Sequence, residues 1–570
     1  MGLLEVIEVV DVHLDLCDKA SQTFKVSLKW KPRTHRQSWA LPIWTPGSYT
    51  IRDHVQYLHS LNLSQASNDR QVQRIGPSGW KADLDTLDLV TLSYVIEARQ
   101  LTVRTCYLDP DFASLCLAAA VMEIDGQRWA PHCLTLALPA GWNAYVPLPG
   151  EETLWAKDFD HLVDAPVHAG NFVSQPFVVK KSSHQLLCIG DPPMGWPANL
   201  VNDAIAVCNA TCCLMDEPPP AGDLYQLVIH MLETGYGGLE HDYGAVLHYS
   251  WRALAEPDGY RKLLQLIGHE YLHQWNVRRL RPREYRPYDY SQSVISDGLW
   301  FAEGVTSYLD LTLPFLAGLS DRSTLLKDLS VELSPLLINP GRQLQSLADS
   351  SREAWVKLYK ATPASADSQV SYYKLGAAMA FCLDVRLRQQ NSSLTQVLRD
   401  LWRKFGRSHR GYSRLDIKAA IAKFDPSTAN EVDAWLDQPD SLPLISIVKD
   451  LGLRFEERYS NKRETGLTLV EREGLVLVSR VALSSQAHHA GLVVGDELLA
   501  VGGFRLRKVD DLCKLISNEQ PVSIIYSRRG RLSEITLASG LPQVDHWEII
   551  VDPEASSELC DLRERWFQII

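Results

Sequence analysis

The 570-residue sequence predicts a multidomain α+β protein: a β-sandwich-like domain first, a mainly helical domain next and a small β-rich domain last. Length is the first reason, because a chain this long exceeds one hydrophobic core and about three or four domains are expected. The second is a change of apolar period. Short apolar runs separated by turn signals fill the first 180 residues, and helical spacing takes over from about Gly259. The third is a Pro- and Asp-rich break, "DQPDSLPL" at Asp437 to Leu444, after which the strand pattern returns.

In chain order, "TFKVSLKW", "VTLSYVIEA", "LTLALPAG" and "NAYVPL" read as strands of a sandwich over residues 1–180. Among them "LPIWTPGSYTIRD", Leu41 to Asp53, joins two apolar segments through the Pro46-Gly47 turn. The next domain is expected over 181–445. It opens with the strand "LYQLVIHML" and the glycine-rich "ETGYGGLEHDYG", then turns to helices. "YRKLLQLIGHEYLHQW", "GLWFAEGVTSYLDLTL" and "YYKLGAAMAFCLDVRLR" carry helical spacing, and the shorter "LTQVLRDLWRKF" and "LDIKAAIAKF" suggest a helical subdomain. Residues 446–545 form the last β-rich domain. The closing 546–570 stretch, "HWEIIVDPEASSELCDLRERWFQII", reads as a tail that docks on the body or on a neighbour.

Composition excludes several classes. Hydrophobic residues at 45% and charged ones at 22% describe a globular chain, not a disordered one. A net charge of −12 argues against nucleic-acid binding, which needs a basic face. No run of about 20 apolar residues offers a membrane helix. Glu5, Glu8 and Asp11 interrupt the apolar start, so it does not read as a signal peptide, and Val6 stands where myristoylation wants Ser or Thr. Eleven scattered cysteines without a C-x-x-C pair suit thiols in a reducing compartment, and a cytoplasmic protein is expected.

The chemistry concentrates in "LIGHEYLHQWNVRRL". On a helix, His269 and His273 project from one face and can hold one metal ion together. Glu270 lies about 100° around the axis, beside the metal, where a base acting on water belongs. The same spacing also suits a buried helix whose histidines bond backbone carbonyls. Two ligands do not finish a catalytic zinc site, which takes three and leaves a position for water. Further on, "GLWFAEGVTSYLDL" sets Glu303 in an apolar helical segment, where a bare carboxylate is costly unless paired or bound to metal. His269, His273 and Glu303 are the expected donors for one Zn2+ per chain. The run Arg278, Arg279, Arg281, Arg283 reads as an internally paired or solvated face, with contact to a substrate carboxylate as the alternative.

"HEYLHQWN" followed by "EGVTSYLD" resembles the gluzincin aminopeptidases, and "HEYLHQWNVRRLRP" more narrowly resembles the glycyl aminopeptidase family of metallopeptidases. "LPIWTPGSYTIRD" is similar to that family's N-terminal hallmark. The resemblance implies a thermolysin-like catalytic domain followed by a PDZ domain. "GLTL", with Gly466 and Leu467, stands where PDZ domains receive a peptide carboxylate, and "HHAGLVVGDELLAVGG" is similar to their helix, turn and strand. By the same resemblance, "GYGGLEH" supplies a substrate-binding strand with Gly238 and Glu240, whose carboxylate pairs with the free α-amine. "VSYYKLG" resembles an S-Y-x-K-G segment whose tyrosine stabilises the oxyanion. Its lysine stands one place early, so both Tyr373 and its competitor Tyr372 remain open. The implied activity is removal of N-terminal residues, Gly or Ala foremost, by attack of zinc-bound water with Glu270 as base. Its partners would be peptides with a free N-terminus and, at the PDZ domain, protein or peptide C-termini. Two rivals stay in view: a zinc endopeptidase recruiting through the PDZ domain, and a non-catalytic PDZ scaffold.

Overall fold

The computed structural model describes residues 9–516, 520–538, 540 and 542–568. Its N-terminal part is β-rich. A seven-stranded sheet runs in the order Leu154–Ala156, His132–Ala137, Val10–Asp15, Thr23–Trp30, Val90–Glu97, Leu58–Gln65, Asn68–Arg70. Its alternation is that of a half-buried strand: Phe24, Val26, Leu28 and Trp30 face inward while Lys25 and Lys29 face water. Each such buried side chain stabilises the fold by roughly 1.5–3 kcal/mol. Two four-stranded sheets complete this part, one built around Arg36–Ala40 and one ordered Asn143–Tyr145, Val167–Gly170, Phe112–Leu115, Cys106–Leu108.

The next sheet has five strands, ordered Val173–Val179, Ser182–Ile189, Tyr225–Leu232, Gly244–Ser250, Tyr236–His241. Helix α1, Leu200–Met215, makes the crossover that two of its parallel strands require. Parallel strands are covered on both faces, which is why "YQLVIHML" is apolar almost throughout. Tyr236–His241 forms one edge and, among the described residues, pairs only with Gly244–Ser250. Phe112 and His168 of the preceding part pack against His230 of this sheet.

Helices follow: α2 (Gly259–Leu272), α3 (Val305–Leu316), α4 (Arg322–Ile338) and α5 (Lys374–Gln389). The shorter Leu394–Leu401 and Arg414–Ala422 come after them. One large core extends from Val10 to Phe567, and a separate core spans Leu469 to Leu537 inside a six-stranded sheet. Gly466 and Leu467 stand at the start of that sheet's edge strand, Leu467–Arg472. The chain enters and leaves this unit through paired strands, Leu453–Arg463 and Pro542–Val551. The second strand lies on α4, its Trp547 and Ile549 N–H groups donating to Ser334 Oγ (2.7 Å) and Ser330 Oγ (2.8 Å). Helix α6, Ser557–Phe567, closes on the chain's own body: Trp566 is buried and its Nε1 donates to Tyr308 OH at 2.9 Å. Among the described residues, no helix is long and apolar enough to cross a membrane.

Candidate metal centre and active site

Helix α2 buries Leu263, Leu264, Ile267, Tyr271 and Leu272, which fixes its rotation and turns the two histidines toward a cleft. It ends at Leu272, but His273 keeps helical backbone and its N–H still donates to His269 O, so the four-residue spacing survives. Each imidazole is held by its Nδ1. That of His269 meets Asp310 Oδ2 at 2.7 Å, and that of His273 meets the Asn276 carbonyl at 2.5 Å. Both partners only accept, so in the neutral rings Nδ1 carries the proton and Nε2 presents its lone pair.

Those Nε2 atoms lie 3.7 Å and 3.3 Å from Glu303 Oε2. Donors on a tetrahedral ion with bonds of about 2.0–2.1 Å are separated by roughly 3.3 Å, so the set fits zinc. Charge agrees with geometry. Burial alone would push the Glu303 carboxyl up, but the two imidazoles outweigh it and hold the group below the ordinary carboxylate range. Burial would likewise lower His269, yet Asp310 and Glu303 drive it well above its usual value. Two imidazoles and a carboxylate converging on one point fit one shared cation. Glu303 comes from a π-helical turn, Trp300–Gly304, that precedes α3. Asn276 Nδ2 fastens this turn by donating to the Phe301 and Ala302 carbonyls at 2.9 and 3.1 Å. One residue thus orients a histidine through its backbone and the glutamate's segment through its side chain.

Two more carboxylates face the donors. Glu270 is buried, its Oε2 has no hydrogen-bond partner, and burial pushes its carboxyl above the ordinary range against the pull of both histidines. Glu240, 4% exposed on the edge strand, has an equally unpartnered Oε1. One donor atom each from Glu240, Glu270 and His273 lies within 4.8 Å of the others. Two glycines permit this crowding. A Cβ on Gly238 would sit 2.0 Å from Glu270 Oε1, and one on Gly47, at φ +81°, would sit 2.5 Å from Glu240 Oε2. The "TPGSY" turn of the N-terminal part therefore lies on Glu240, and Tyr49 beside it donates to Glu303 Oε1 at 3.2 Å.

Tyr372 and Tyr373 stack at 4.7 Å, and the hydroxyls of both meet Tyr359 OH, at 3.1 and 3.2 Å. Tyr372 is fully enclosed, whereas Tyr373 lines a cleft of about 520 Å³ with Gly238, His269 and Glu270. Gly466 and Leu467 belong to the separate sheet and do not line this cleft. Most of the arginine run is paired internally: Arg278 is buried against Asp164 (2.7 Å) and Asp242 (2.9 Å), Arg279 donates to the Gln274 and Asp242 carbonyls and Arg281 to the Arg278 carbonyl, whereas Arg283 is exposed beside Glu284. Sequence reasoning assigned no role to Tyr49, Asn276, Asp310, Tyr359 or Arg104. Asn276 and Asp310 lie inside the quoted zinc segments and Tyr49 inside the N-terminal hallmark. Helical spacing, with Asp310 seven residues after Glu303, was the available signal for one of them.

The fold and this cleft define a metallopeptidase of the zinc aminopeptidase type. Residues 262–379 match the M61 glycyl aminopeptidase family and residues 11–171 match the M61 peptidase N-terminal domain. The chain thus carries two domains that match the M61 glycyl aminopeptidase family. It superposes on an aminopeptidase N family protein from Idiomarina loihiensis with a TM-score of 0.90 at 26% identity, covering 98% of this chain and 100% of that one. More distant is the M1 zinc metallopeptidase of Deinococcus radiodurans, at 13% identity and a TM-score of 0.47 over 77% of this chain and 95% of that one. No curated protein matches the chain.

Proposed function

We propose that the protein removes single N-terminal residues from peptides, with one zinc ion per chain held by His269, His273 and Glu303. The observation that carries this reading is the unpartnered Oε1 of Glu240, buried beneath the Gly47 turn and close to Glu270 and His273. A carboxylate so enclosed favours a cation, and a peptide's α-ammonium is the cation that places its first carbonyl beside the donors. When bound there, the ion would supply Lewis acidity toward water and the scissile carbonyl. Glu270 takes a proton from that water as its oxygen adds to the carbonyl carbon, and delivers it to the departing amine as the C–N bond breaks. Tyr373 donates its hydroxyl to the oxyanion that develops. The cleft lining favours it over Tyr372. Preference for Gly or Ala as first residue rests on the family.

The six-stranded sheet is read as a PDZ domain within 446–545, taking peptide C-termini beside Gly466 and Leu467 by strand addition along Leu467–Arg472. Domains over 1–180 and 181–445 and a tail over 546–570 complete the division. Eleven free thiols support cytoplasmic residence. The test compares kcat/KM for alanyl p-nitroanilide and its N-acetyl derivative, with zinc measured per chain. Stoichiometric zinc and selective loss of the acetylated substrate are expected. Equal rates on both would turn the reading to the endopeptidase.

A further inference from the structure

Resting on the exopeptidase reading above, a second residue emerges that limits the enzyme to chain ends. Tyr236–His241 is an edge strand, and the free side of an edge strand is a ready template for another extended chain. Gly238 is the strand residue alongside the proposed base, its Cα facing Glu270 so closely that no Cβ fits. In the plane of the sheet, the Gly238 carbonyl is an acceptor that an extended substrate lying along this strand edge and continuing past the first residue would use. That carbonyl is occupied: Arg104 Nη2 donates to it at 3.1 Å.

Arg104 comes from the N-terminal part, and its loop is fastened. Val103 inserts into a small core with Val228, Leu239 and Val246 of the five-stranded sheet. Thr102 and Thr105 tie the loop to itself, hydroxyl to hydroxyl at 2.8 Å, and Thr105 Oγ1 donates to Gln100 O at 2.6 Å. The guanidinium thus stands against the strand edge and lines the cleft with His269, Glu270 and Tyr373. We propose that Arg104 is a specificity-determining residue that blocks strand-like pairing at Gly238, so that one residue alone fits ahead of the scissile bond. Glu240 rewards a free amine; Arg104 excludes whatever would extend beyond it.

The test uses the full zinc-loaded enzyme and the same two anilides, in wild type, Arg104→Ala and Arg104→Lys. Arg104→Ala should raise the ratio of acetylated to free-amine kcat/KM by about ten- to a hundredfold, the worth of one hydrogen bond from a charged donor. Arg104→Lys, which keeps a donor for the carbonyl, should stay near wild type. Arg104→Gln repeats the comparison if the alanine variant fails to fold. A merely structural role would lower both rates together and leave the ratio unmoved, which overturns the proposal while wild-type selectivity still upholds the exopeptidase. Wild type cutting both substrates equally would overturn both.

Discussion

At the scale of single residues, the clearest division is between groups announced by local spacing and groups brought in from elsewhere. His269, Glu270 and His273 are legible because a helix translates a four-residue interval directly into a shared face. Glu303 is legible because a carboxylate in an apolar helical run demands a partner. Tyr49 and Arg104 are not, since nothing in "TPGSY" or "LTVRT" states that a strand near residue 240 will come to lie against it. Tyr372 and Tyr373 differ in burial, which neighbouring positions in a sequence do not reveal. Glu270 allows the sharpest residue-level expectation. Replacing it with Gln removes the proton acceptor but keeps size and position, so zinc content should stay at wild type while kcat falls about 10²–10⁴-fold. Full activity in Glu270→Gln would take this side chain out of the mechanism.

At the scale of elements, α2 and α3 hold the centre as a pair. Helix α2 and the residue that caps it give two imidazoles, the π-helical turn before α3 gives Glu303, and α3 itself gives Asp310, whose carboxylate grips His269 Nδ1 at 2.7 Å. The helix positions were readable from apolar periodicity; the π-helical turn was not, because Trp300–Gly304 is buried all round and offers no polar face from which an inserted residue could be read. Asp310 fixes both the tautomer and the direction of its histidine. Asp310→Ala should therefore weaken zinc binding about 10–100-fold while far-UV circular dichroism stays unchanged. Competition with a chelator reads this directly, and an unchanged zinc affinity would reduce Asp310 to packing. A second inter-element link joins the separate C-terminal sheet to the body. Arg480, on Leu475–Val481, grips Asp367 through two bonds, at 2.5 and 3.3 Å, a few residues ahead of Tyr372 and Tyr373.

At the scale of the molecule, the site is complete only while the N-terminal part stays docked, because Arg104 of that part lines the cleft, Gly47 lies on Glu240 and Tyr49 donates to Glu303. That docking surface holds a cluster of buried histidines: His168 from the N-terminal part, with ring centroids 5.5 Å from His230, which lies 5.0 Å from His248. His168 and His230 are 0% exposed and His248 7%. Burial, reinforced by the neighbouring histidines, brings His168 down to about 3; burial and Arg104 bring His248 to about 4; His230 falls well below its usual value. Their folded-state pKa values are depressed, so between about pH 4 and the unfolded value near 6.5 the unfolded chain binds more protons than the folded one. Stability must then rise with pH through that window, and each histidine should cost about 2 kcal/mol on going from pH 7 to pH 5. Thermal unfolding of the zinc-loaded enzyme should show a Tm that falls steeply between these pH values. His168→Phe should flatten the slope, since a ring of similar size without ionisable nitrogens removes one of the three protonations. An unchanged slope in that variant would mean that acid sensitivity arises elsewhere and that this interface stays closed with its imidazoles charged.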